Sequence, residues 1–259
     1  MPMPSVRRFY DDLAADYHRI FPDWDTTIAR QAGTFDALIG AELGTGPRRV
    51  LDCACGIGTQ AIGLAGRGHH VTGTDLSPHA AARARSEAAA RGVSLTAAAA
   101  DMCRLPFAPR TFDAVLCADN SLPHLLTAAE VGTALTGMRR VLRDDGLLIL
   151  TVRDYDELRR VRPASTPPQL STTPDGGTTI TFQLWHWHDD GERYDLRHFQ
   201  LIPDGDERDG WQVRERTTTY WALTADRLTD FATTAGFTDI TWHTPEATGF
   251  YQPILTARR

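Results

Sequence analysis

The sequence predicts an α/β fold in which helices flank a seven-stranded, mostly parallel sheet and an antiparallel β insertion follows the fifth strand. Three observations support this prediction. Short apolar segments alternate with helical ones over residues 47–155, three β-rich segments joined by Asp/Gly turns come next, and a helix and two strands follow them. Alternating strands and helices form parallel βαβ units with right-handed crossovers, whereas turn-linked strands form an antiparallel meander.

The composition is that of a globular protein with a single domain. The chain has 259 residues, of which 42% are hydrophobic and 23% charged, so it can bury a sizeable core. Its net charge of −6 and the lack of a basic stripe argue against nucleic acid as a partner. No apolar run is long enough for a bilayer and the N-terminus does not resemble a signal peptide, so we expect a cytoplasmic protein that acts without a membrane. A homo-oligomer is compatible with the sequence.

The basic and sulfur-containing residues exclude several chemistries. All 27 basic residues are arginines, which excludes a Schiff base on lysine and a Walker-A phosphate loop. The cysteines lack zinc-site spacing and are expected to be small interior residues. They are Cys53, Cys55, Cys103 and Cys117.

The first half of the chain predicts a helical cover followed by the sheet. Helical spacing of apolar residues predicts two helices over residues 5–46 with a break at residues 21–25, and we expect residues 1–46 to cover the core. Ser77 and Pro78 predict the cap and first turn of a helix that runs to about Arg91. Other helices are predicted from the first glycine-rich turn to residues 66–68 and over 127–142. The predicted strands are 48–53, 70–75, 94–99, 112–118 and 146–153.

Residues 156–223 are predicted to form a β lid inserted into the core, which comprises residues 47–155 and 224–259. Residues 163–174 are rich in Pro, Ser and Thr and predict a surface loop. Strands are then predicted at 178–188, 193–203 and 211–223, with turns at 189–191 and 204–206. A helix at 225–235 and strands at 237–243 and 250–257 return to the main sheet.

The turn after the first strand predicts a nucleotide-type cofactor. Gly56 and Gly58 allow the backbone to approach a ligand closely, and the following helix begins beside it. A dinucleotide would place its pyrophosphate here, where the carboxylate of Asp52 would repel it; Ala61 also replaces the third glycine of that fingerprint, although alanine is tolerated. S-adenosylmethionine carries an ammonium group and no phosphate. It is therefore the predicted cofactor, with an NAD-dependent oxidoreductase as the less favoured alternative.

Polar residues follow each strand of the predicted sheet, where ligands bind in open α/β folds. Asp75 ends the second strand and suits a ribose diol, and Asp101 and Met102 follow the third and suit an adenine ring. Residues 119–124 follow the fourth strand as a polar cluster where the methyl acceptor is expected. Arg153 ends the fifth.

Arg153 and Tyr155 are predicted to share one face of the fifth strand. A guanidinium in a pocket can bind a carboxylate through two parallel hydrogen bonds. A surface ion pair with Asp154 or Asp156 is an equally supported alternative.

Six segments carry a resemblance that covers nearly the whole chain: LDCACGIGTQAIGLA, VTGTDLS, ADM, DNSLPHLL, RDYD and TGFYQPI. They resemble the class I S-adenosylmethionine-dependent methyltransferases, and specifically the glycine and sarcosine N-methyltransferases. The first two segments are shared by the superfamily, whereas the last three are much narrower. The resemblance implies a Rossmann-like fold, methylation of a small carboxylate-bearing amine such as glycine, sarcosine or dimethylglycine, and S-adenosylhomocysteine as the product.

The resemblance also assigns roles to residues. It implies that Arg153 holds the substrate carboxylate, Asn120 orients the amine and Arg30 contacts the carboxylate of the cofactor. The matching aromatic segment that folds over the active site comprises Tyr10, Tyr17 and Trp24. Further acceptor contacts are expected at Tyr17, Tyr155 and Trp185. The other expected cofactor contacts are Tyr10, Trp24, Asp52, Cys53, Ala54, Gly56, Gly58, Asp75, Leu76, Asp101, Met102, Ala118, Ser121 and His124.

Two departures from the animal enzymes bear on the acceptor. Asp101-Met102 stands where they have Asn-Trp, and Asp119 stands where they have glycine, beside the substrate. The acceptor is therefore open to another amino acid or a natural-product intermediate.

The lid adds aromatic residues and histidines. Strand alternation places two tryptophans on one face and two histidines on the other. A metal site formed by these histidines and His198 is a minor alternative to solvent-facing histidines, and no metal is expected. The residues are Trp185, Trp187, His186 and His188.

The predicted reaction is an in-line methyl transfer to an amine, in which positioning supplies most of the rate. The amine must lose a proton, to His124 or to solvent, while Asn120 and Tyr155 steer its lone pair. The alternatives are a turn-forming role for Asn120 and a capping or core role for His124. A non-catalytic cofactor-sensing protein is disfavoured by the polar cluster.

Overall fold

The structure is a computed structural model that describes residues 5–172, 177–204 and 210–259. Within these residues no helix is long and apolar enough to cross a membrane. The helices are α1 (Val6–Leu13), α2 (Trp24–Leu43), α3 (Thr59–Gly66), α4 (Pro78–Ala90), α5 (Ala128–Val141), α6 (Tyr155–Val161), α7 (Ala225–Thr234) and α8 (Pro245–Thr248). The strands are β1 (Arg49–Asp52), β2 (His70–Asp75), β3 (Thr96–Ala99), β4 (Phe112–Cys117), β5 (Leu142–Thr151), β6 (Gln169–Thr172), β7 (Thr178–Trp187), β8 (Arg193–Pro203), β9 (Trp211–Trp221), β10 (Thr238–His243) and β11 (Ile254–Arg258).

Seven strands form the central sheet in the order β10-β11-β5-β4-β1-β2-β3. The first five strands of the chain are parallel to one another, and β11 is antiparallel to both β5 and β10. The predicted seven-stranded, mostly parallel sheet is therefore confirmed. This order brings the carboxyl ends of β1, β2, β4 and β5 to one edge of the sheet.

Helices cover both faces of the sheet, which explains why most positions of its inner strands are buried. Along β4, Val115 and Cys117 join the core cluster that contains Leu135 of α5. Leu116 joins the cluster on the opposite face, which contains Phe35 of α2. The predicted cap of α4 is present, since the side chain of residue 77 accepts a hydrogen bond from the backbone at residue 80.

The inserted sheet contains four antiparallel strands in the order β6-β7-β8-β9. Strands β7, β8 and β9 correspond to the three predicted strands, whereas β6 lies in the segment predicted to be a loop. Its four residues are mostly polar and exposed, and they form a strand because they pair with the edge of β7. The predicted turn at 204–206 and the end of the predicted loop at 163–174 lie partly outside the described residues.

The fifth strand ends two residues before Arg153, which corrects the prediction of a shared strand face. Asp154 accepts a hydrogen bond from the backbone N–H of Glu157 at 3.1 Å and so caps α6, whose first residue is Tyr155. An aspartate in this position starts a helix by accepting from an otherwise unpaired N–H. Arg153 and Tyr155 therefore lie at a strand-to-helix turn.

A buried ion pair joins the N-terminal segment (residues 5–23) to the inserted sheet. Asp16 is 5% exposed, and its Oδ2 accepts from Arg216 of β9 at 3.1 Å and from Arg214. Arg216 also donates to Gln200 at 2.6 Å and to the backbone carbonyl of Asp12 at 3.0 Å. These contacts, hereafter the Asp16 latch, hold the segment against the sheet.

Helices α2 and α3 approach closely at Gly63. A Cβ at this position would lie 2.5 Å from the Cβ of Ala32 and 2.8 Å from the carbonyl oxygen of Ile28. Gly40, near the end of α2, has no atom within 4 Å of the same point. The close packing of the two helices therefore requires glycine at position 63 and not at position 40.

Candidate active site

A cavity of about 910 Å³ lies where the carboxyl ends of β4 and β5 meet the N-terminal segment and the inserted sheet. Its volume falls within the range of about 300–1,000 Å³ that is typical of small-molecule sites. The predicted site residues in its wall are Tyr10, Tyr17, Arg30, Asn120, Arg153 and Trp185, together with Asp119 of the polar cluster.

The turn after β1 wraps its backbone around the acid that ends β2. Gly56 and Gly58 have φ angles of +52° and +97°, a region that favours glycine. The N–H of Gly56 donates to one oxygen of Asp75 at 2.8 Å and the N–H of Ser77 donates to the other at 2.8 Å. Burial raises the pKa of Asp75 to about 6, although both hydrogen bonds oppose the shift. A Cβ on Gly56 would lie 3.2 Å from the ring of Tyr17, so the N-terminal segment lies directly over this turn.

Asp52, at the end of β1, is fully buried and poorly paired. Its Oδ1 accepts a long hydrogen bond of 3.4 Å from the N–H of Ala54, and its Oδ2 has no partner among the described residues. Burial raises the pKa of Asp52 to about 8, and the nearby acids Asp75 and Asp119 add to the effect. A buried carboxylate is costly unless a cation meets it. The site therefore fits the ammonium group of S-adenosylmethionine and does not fit the phosphates of a dinucleotide.

The ends of β2 and β3 provide surface for a purine ring. Leu76 is 41% exposed, directly after Asp75, and the register that pairs Asp75 with Ala99 places Met102 near the neighbouring strand end. Asp101 accepts from the backbone N–H of Cys103 at 2.8 Å, so its carboxylate is held in place. Apolar side chains beside an acid fit the adenosine part of the predicted cofactor.

Two predicted cofactor residues lie on α2 and differ in their surroundings. The indole N–H of Trp24 donates to Thr59 at 2.9 Å and its ring lies 4.8 Å from the guanidinium of Arg91. Trp24 therefore joins α2 to α3. Arg30 is exposed in the cavity wall, and its guanidinium has no hydrogen bond or ion pair among the described residues, which fits a carboxylate of the cofactor. The remaining predicted contacts, small residues around the ends of β1 and β4, are Cys53, Ala54, Ala118 and Ser121.

The guanidinium of Arg153 is surrounded by phenol, amide and aromatic groups. It donates to the hydroxyl of Tyr194 at 2.6 Å and to the side-chain oxygen of Gln183 at 3.3 Å. It also lies 4.8 Å from the ring of Trp185 and 5.3 Å from that of Tyr220. Such cation–π contacts orient an arginine without neutralising its charge.

No acidic side chain pairs with Arg153 among the described residues. Asp154 caps α6, and Asp156 accepts from the backbone N–H of Ala225 at 3.0 Å. The structure therefore contains neither of the surface ion pairs that the sequence left open. The charge of Arg153 thus faces the cavity without a counter-charge from any residue that the structure describes.

Asn120 and Tyr155 lie on either side of this arginine. Asn120 has a φ of +64° and is 2% exposed, and its Oδ1 accepts from the backbone N–H of Arg153 at 3.1 Å. Tyr155 is 1% exposed, with its hydroxyl 3.1 Å from that of Tyr194. Asn120 thus holds the backbone of Arg153, and its buried amide also acts on the hydroxyl of Tyr155. Tyr155 supports Tyr194 from behind the cavity wall.

The structure argues against His124 as the proton acceptor. Its Nε2 lies 2.7 Å from the hydroxyl of Tyr10 and its Nδ1 lies 3.4 Å from that of Thr218. Its ring lies 4.1 Å from the ring of Tyr220. Burial lowers the pKa of His124 to about 3, and Arg153 adds to the shift. A weakly basic imidazole with both nitrogens near hydroxyl partners is suited to positioning Tyr10.

Sequence reasoning missed the residues of the inserted sheet that surround Arg153. The strand registers place Trp185 opposite Leu196 and place Tyr194 opposite both Trp187 and Tyr220. Alternation along the meander, extended from the two tryptophans to the neighbouring strands, would have indicated the two tyrosines.

The same register separates the histidines of the inserted sheet. His198 pairs with Gln183 on the inner face, whereas His186 and His188 lie on the outer face, where His188 contacts Asp195 at 3.1 Å. The three histidines do not converge, and no other metal-binding group of three was found among the described residues. The metal alternative therefore has no support from the geometry.

Comparisons with known proteins agree with this geometry. Residues 50–146 match the family model of a methyltransferase domain. The chain is 36% identical over 163 residues, 60% of its length, to the glycine/sarcosine N-methyltransferase of Parasynechococcus marenigrum, and 32% identical over 137 residues, 51% of its length, to that of Aphanothece halophytica. These matches span 57% and 52% of the two relatives.

The whole fold is also found in a solved structure. An amino pentose methyltransferase from Micromonospora echinaspora, solved with S-adenosylmethionine bound, superposes with a TM-score of 0.73 at 22% identity, covering 95% of each chain. The matched domain and the relatives show that residues 50–146 form a methyltransferase domain, and the chain is similar in sequence and fold to S-adenosylmethionine-dependent methyltransferases.

Proposed function

We propose that the chain is an S-adenosylmethionine-dependent N-methyltransferase whose acceptor is an amine that also carries a carboxylate. The observation that carries the proposal is Arg153, whose charge faces the cavity without an acidic partner among the described residues. A planar guanidinium recognises a carboxylate through two parallel hydrogen bonds. The two relatives named as glycine/sarcosine N-methyltransferases support the same class of acceptor.

The cofactor, when bound, supplies an activated methyl group. The residues of the chain then have three tasks: to bind, to orient and to exclude water. Asp52 holds an ammonium group, Arg30 a carboxylate of the cofactor and Arg153 the carboxylate of the acceptor. The Oδ1 of Asn120 accepts from the backbone N–H of Arg153, so Asn120 positions the residue that binds the acceptor carboxylate. The N-terminal segment covers the site and is held in place by the Asp16 latch.

A panel of amines tests the proposal, with release of S-adenosylhomocysteine as the readout. It contains glycine, sarcosine, dimethylglycine, larger amino acids such as proline and phenylalanine, and D-glucosamine, an amine without a carboxylate. We expect turnover of at least one carboxylated amine and none of the amino sugar. Turnover of the amino sugar alone would contradict the role given to Arg153.

The volume of the cavity favours a second candidate within the same reaction class. At about 910 Å³ the cavity is large for glycine, and its wall includes apolar side chains next to polar ones such as Thr166 and Thr181. An amino acid with a bulky side chain, or a natural-product intermediate, would fill more of this volume. The structurally similar amino pentose enzyme shows that this fold accommodates larger acceptors. Better turnover of phenylalanine than of sarcosine would favour this candidate. The apolar residues of the wall include Leu158, Pro167, Pro168, Phe182 and Leu196.

A further inference from the structure

We propose that Asp119 receives the ammonium group of the acceptor and takes up its proton before methyl transfer. The proposal rests on the function proposed above and adds the residue that meets the amine. It concerns a position where the sequence departs from the animal N-methyltransferases that the chain resembles.

The backbone holds Asp119 firmly at the cavity wall. The residue follows β4 with a φ of +54°, and its N–H donates to the hydroxyl of Thr151 at 2.8 Å. That hydroxyl in turn donates to Gln252 at 2.8 Å. Aspartate is one of the few residues that tolerate this left-handed conformation, and glycine adopts it at lower cost. The carboxylate is therefore present where local backbone geometry alone would favour glycine.

Neutral donors orient the carboxylate of Asp119 and leave its charge uncompensated. Its Oδ1 accepts from the hydroxyl of Tyr251 at 2.8 Å and its Oδ2 accepts from the amide of Gln60 at 2.7 Å. Each oxygen keeps a further lone pair for a ligand. No arginine or histidine forms an ion pair with Asp119 among the described residues. An ammonium group is the ligand that this arrangement suits.

Asp119 and Arg153 line the same cavity, yet they are not paired with each other. Each charge has lost part of its hydration without gaining a counter-ion from the described part of the chain, which is unfavourable unless a ligand supplies one. A zwitterionic acceptor supplies both, with its carboxylate at Arg153 and its ammonium at Asp119. The other titratable groups that interact electrostatically with Asp119 are three neutral phenols and one acid. They are Tyr17, Tyr220, Tyr251 and Asp52.

The electrostatics of Asp119 suit a proton acceptor better than those of His124. Burial raises the pKa of Asp119 although the hydrogen bonds from Tyr251 and Gln60 oppose the shift, so its carboxylate is more basic than an exposed one. Burial lowers the pKa of His124 to about 3, and both of its nitrogens have hydroxyl neighbours. A general base is effective when it is close to the proton and its pKa is near the working pH.

The proton transfer balances as follows. One N–H bond of the acceptor ammonium breaks, an O–H bond forms on the carboxylate of Asp119, and the electron pair of the broken bond stays on nitrogen. The amine is then neutral, and its lone pair is free to form the bond to the methyl group. The proton passes to solvent when the product leaves.

Asp119→Asn tests the proposal because it removes the charge and keeps the size of the side chain. Asp119→Gly is a second variant that suits the backbone conformation. Asp144→Asn is a matched control, since Asp144 is an exposed acid outside the cavity that pairs with Arg110 at 3.0 Å. Calorimetry measures the affinity of each protein for S-adenosylhomocysteine and, in its presence, for glycine, sarcosine, proline and phenylalanine. Turnover of the same amines is measured across pH.

We expect both Asp119 variants to lose about 10²–10⁴ in kcat, the usual contribution of a general base. They should also bind the preferred amine at least about tenfold more weakly, which corresponds to about 1.4 kcal/mol. Their affinity for S-adenosylhomocysteine should stay within about threefold of that of the wild type, within the scatter of near-neutral changes. The wild type should lose activity on the acidic side as Asp119 takes up a proton, and the variants should lack that limb.

Three results would overturn the proposal. Wild-type turnover and amine affinity in both Asp119 variants would show that solvent takes the proton and would leave the proposed function intact. A loss confined to S-adenosylhomocysteine affinity would place Asp119 in the cofactor site. Failure of the wild type to bind any of the four amino acids would overturn this proposal together with the proposed function.

Discussion

Replacing Arg153 by glutamine removes the proposed carboxylate contact and keeps a polar side chain of similar width. Loss of one partner from a hydrogen-bonded charge pair that is partly buried costs about 2–5 kcal/mol. Because Arg153 is only half-buried, we take the lower part of this range, about 2–4 kcal/mol. The KM of the acceptor should rise about 30- to 700-fold, since about 1.4 kcal/mol corresponds to a factor of ten.

The fold should tolerate this substitution. Arg153 has no acidic partner among the described residues, so its removal leaves no buried carboxylate uncompensated. The main loss is the hydrogen bond to Tyr194, about 1–2 kcal/mol. The Tm should therefore fall by roughly 2–8 °C for a chain of this size. Thermal unfolding followed by circular dichroism measures this change separately from activity.

The assay compares Arg153→Gln with Arg30→Gln, a matched loss of an unpaired arginine from the same cavity wall. Acceptor KM is measured by release of S-adenosylhomocysteine, and cofactor affinity by calorimetry with S-adenosylhomocysteine. We expect Arg153→Gln to weaken the acceptor and Arg30→Gln to weaken the cofactor. An unchanged acceptor KM in Arg153→Gln, or a loss confined to cofactor affinity, would refute the assignment of Arg153 to the acceptor carboxylate.

Three further predictions concern buried charge and packing. Asp52 has a pKa of about 8 in the folded chain against an ordinary value of 3.8, so the stability of the cofactor-free protein should fall as the pH rises from 3.8 to about 8. Asp52→Asn should therefore raise the Tm measured by calorimetry at about pH 8. The same variant should bind S-adenosylhomocysteine more weakly. Asp16→Asn leaves a buried arginine without its carboxylate and should cost about 3–5 kcal/mol in urea unfolding, whereas the exposed control Asp12→Asn should change stability by at most about 0.5 kcal/mol. Gly63→Ala should destabilise by about 1–3 kcal/mol through overpacking, whereas Gly40→Ala should stabilise by about 0.4–1 kcal/mol, both by urea unfolding.

Most of the fold was predictable because the signals that define it are local. Strands β1 and β4 of the central sheet are short, mostly apolar runs, and Ser77 supplies the cap that starts α4. Strand β6 was not predictable, since its polar residues form a strand only through pairing with β7. The end of β5 was misplaced because an apolar pattern does not show where Asp154 begins to cap a helix.

The candidate site was also predictable only in part. The rule that ligands bind beyond the carboxyl ends of parallel strands led to Asp52, Asp119 and Arg153 from sequence position alone. It gave no information on pairing, which depends on side chains distant in the chain: Arg153 meets Tyr194 of β8, 41 residues away. The state of His124 was equally inaccessible, because its lowered pKa arises from burial beneath the N-terminal segment and the inserted sheet.

The charges of Asp119 and Arg153, which lack charged partners among the described residues, explain why both the N-terminal segment and the inserted sheet cover the cavity. Two unit charges 4 Å apart interact by about 1 kcal/mol in water but by about 4 kcal/mol at the effective dielectric constant of about 20 that is typical near a protein surface. In the proposed binding mode, Asp119 and Arg153 therefore hold a zwitterion firmly only while water is kept out. The Asp16 latch joins the N-terminal segment to strand β9 of the inserted sheet. Loosening it should weaken a charged acceptor more than a neutral one, which links the stability of the latch to the choice of substrate.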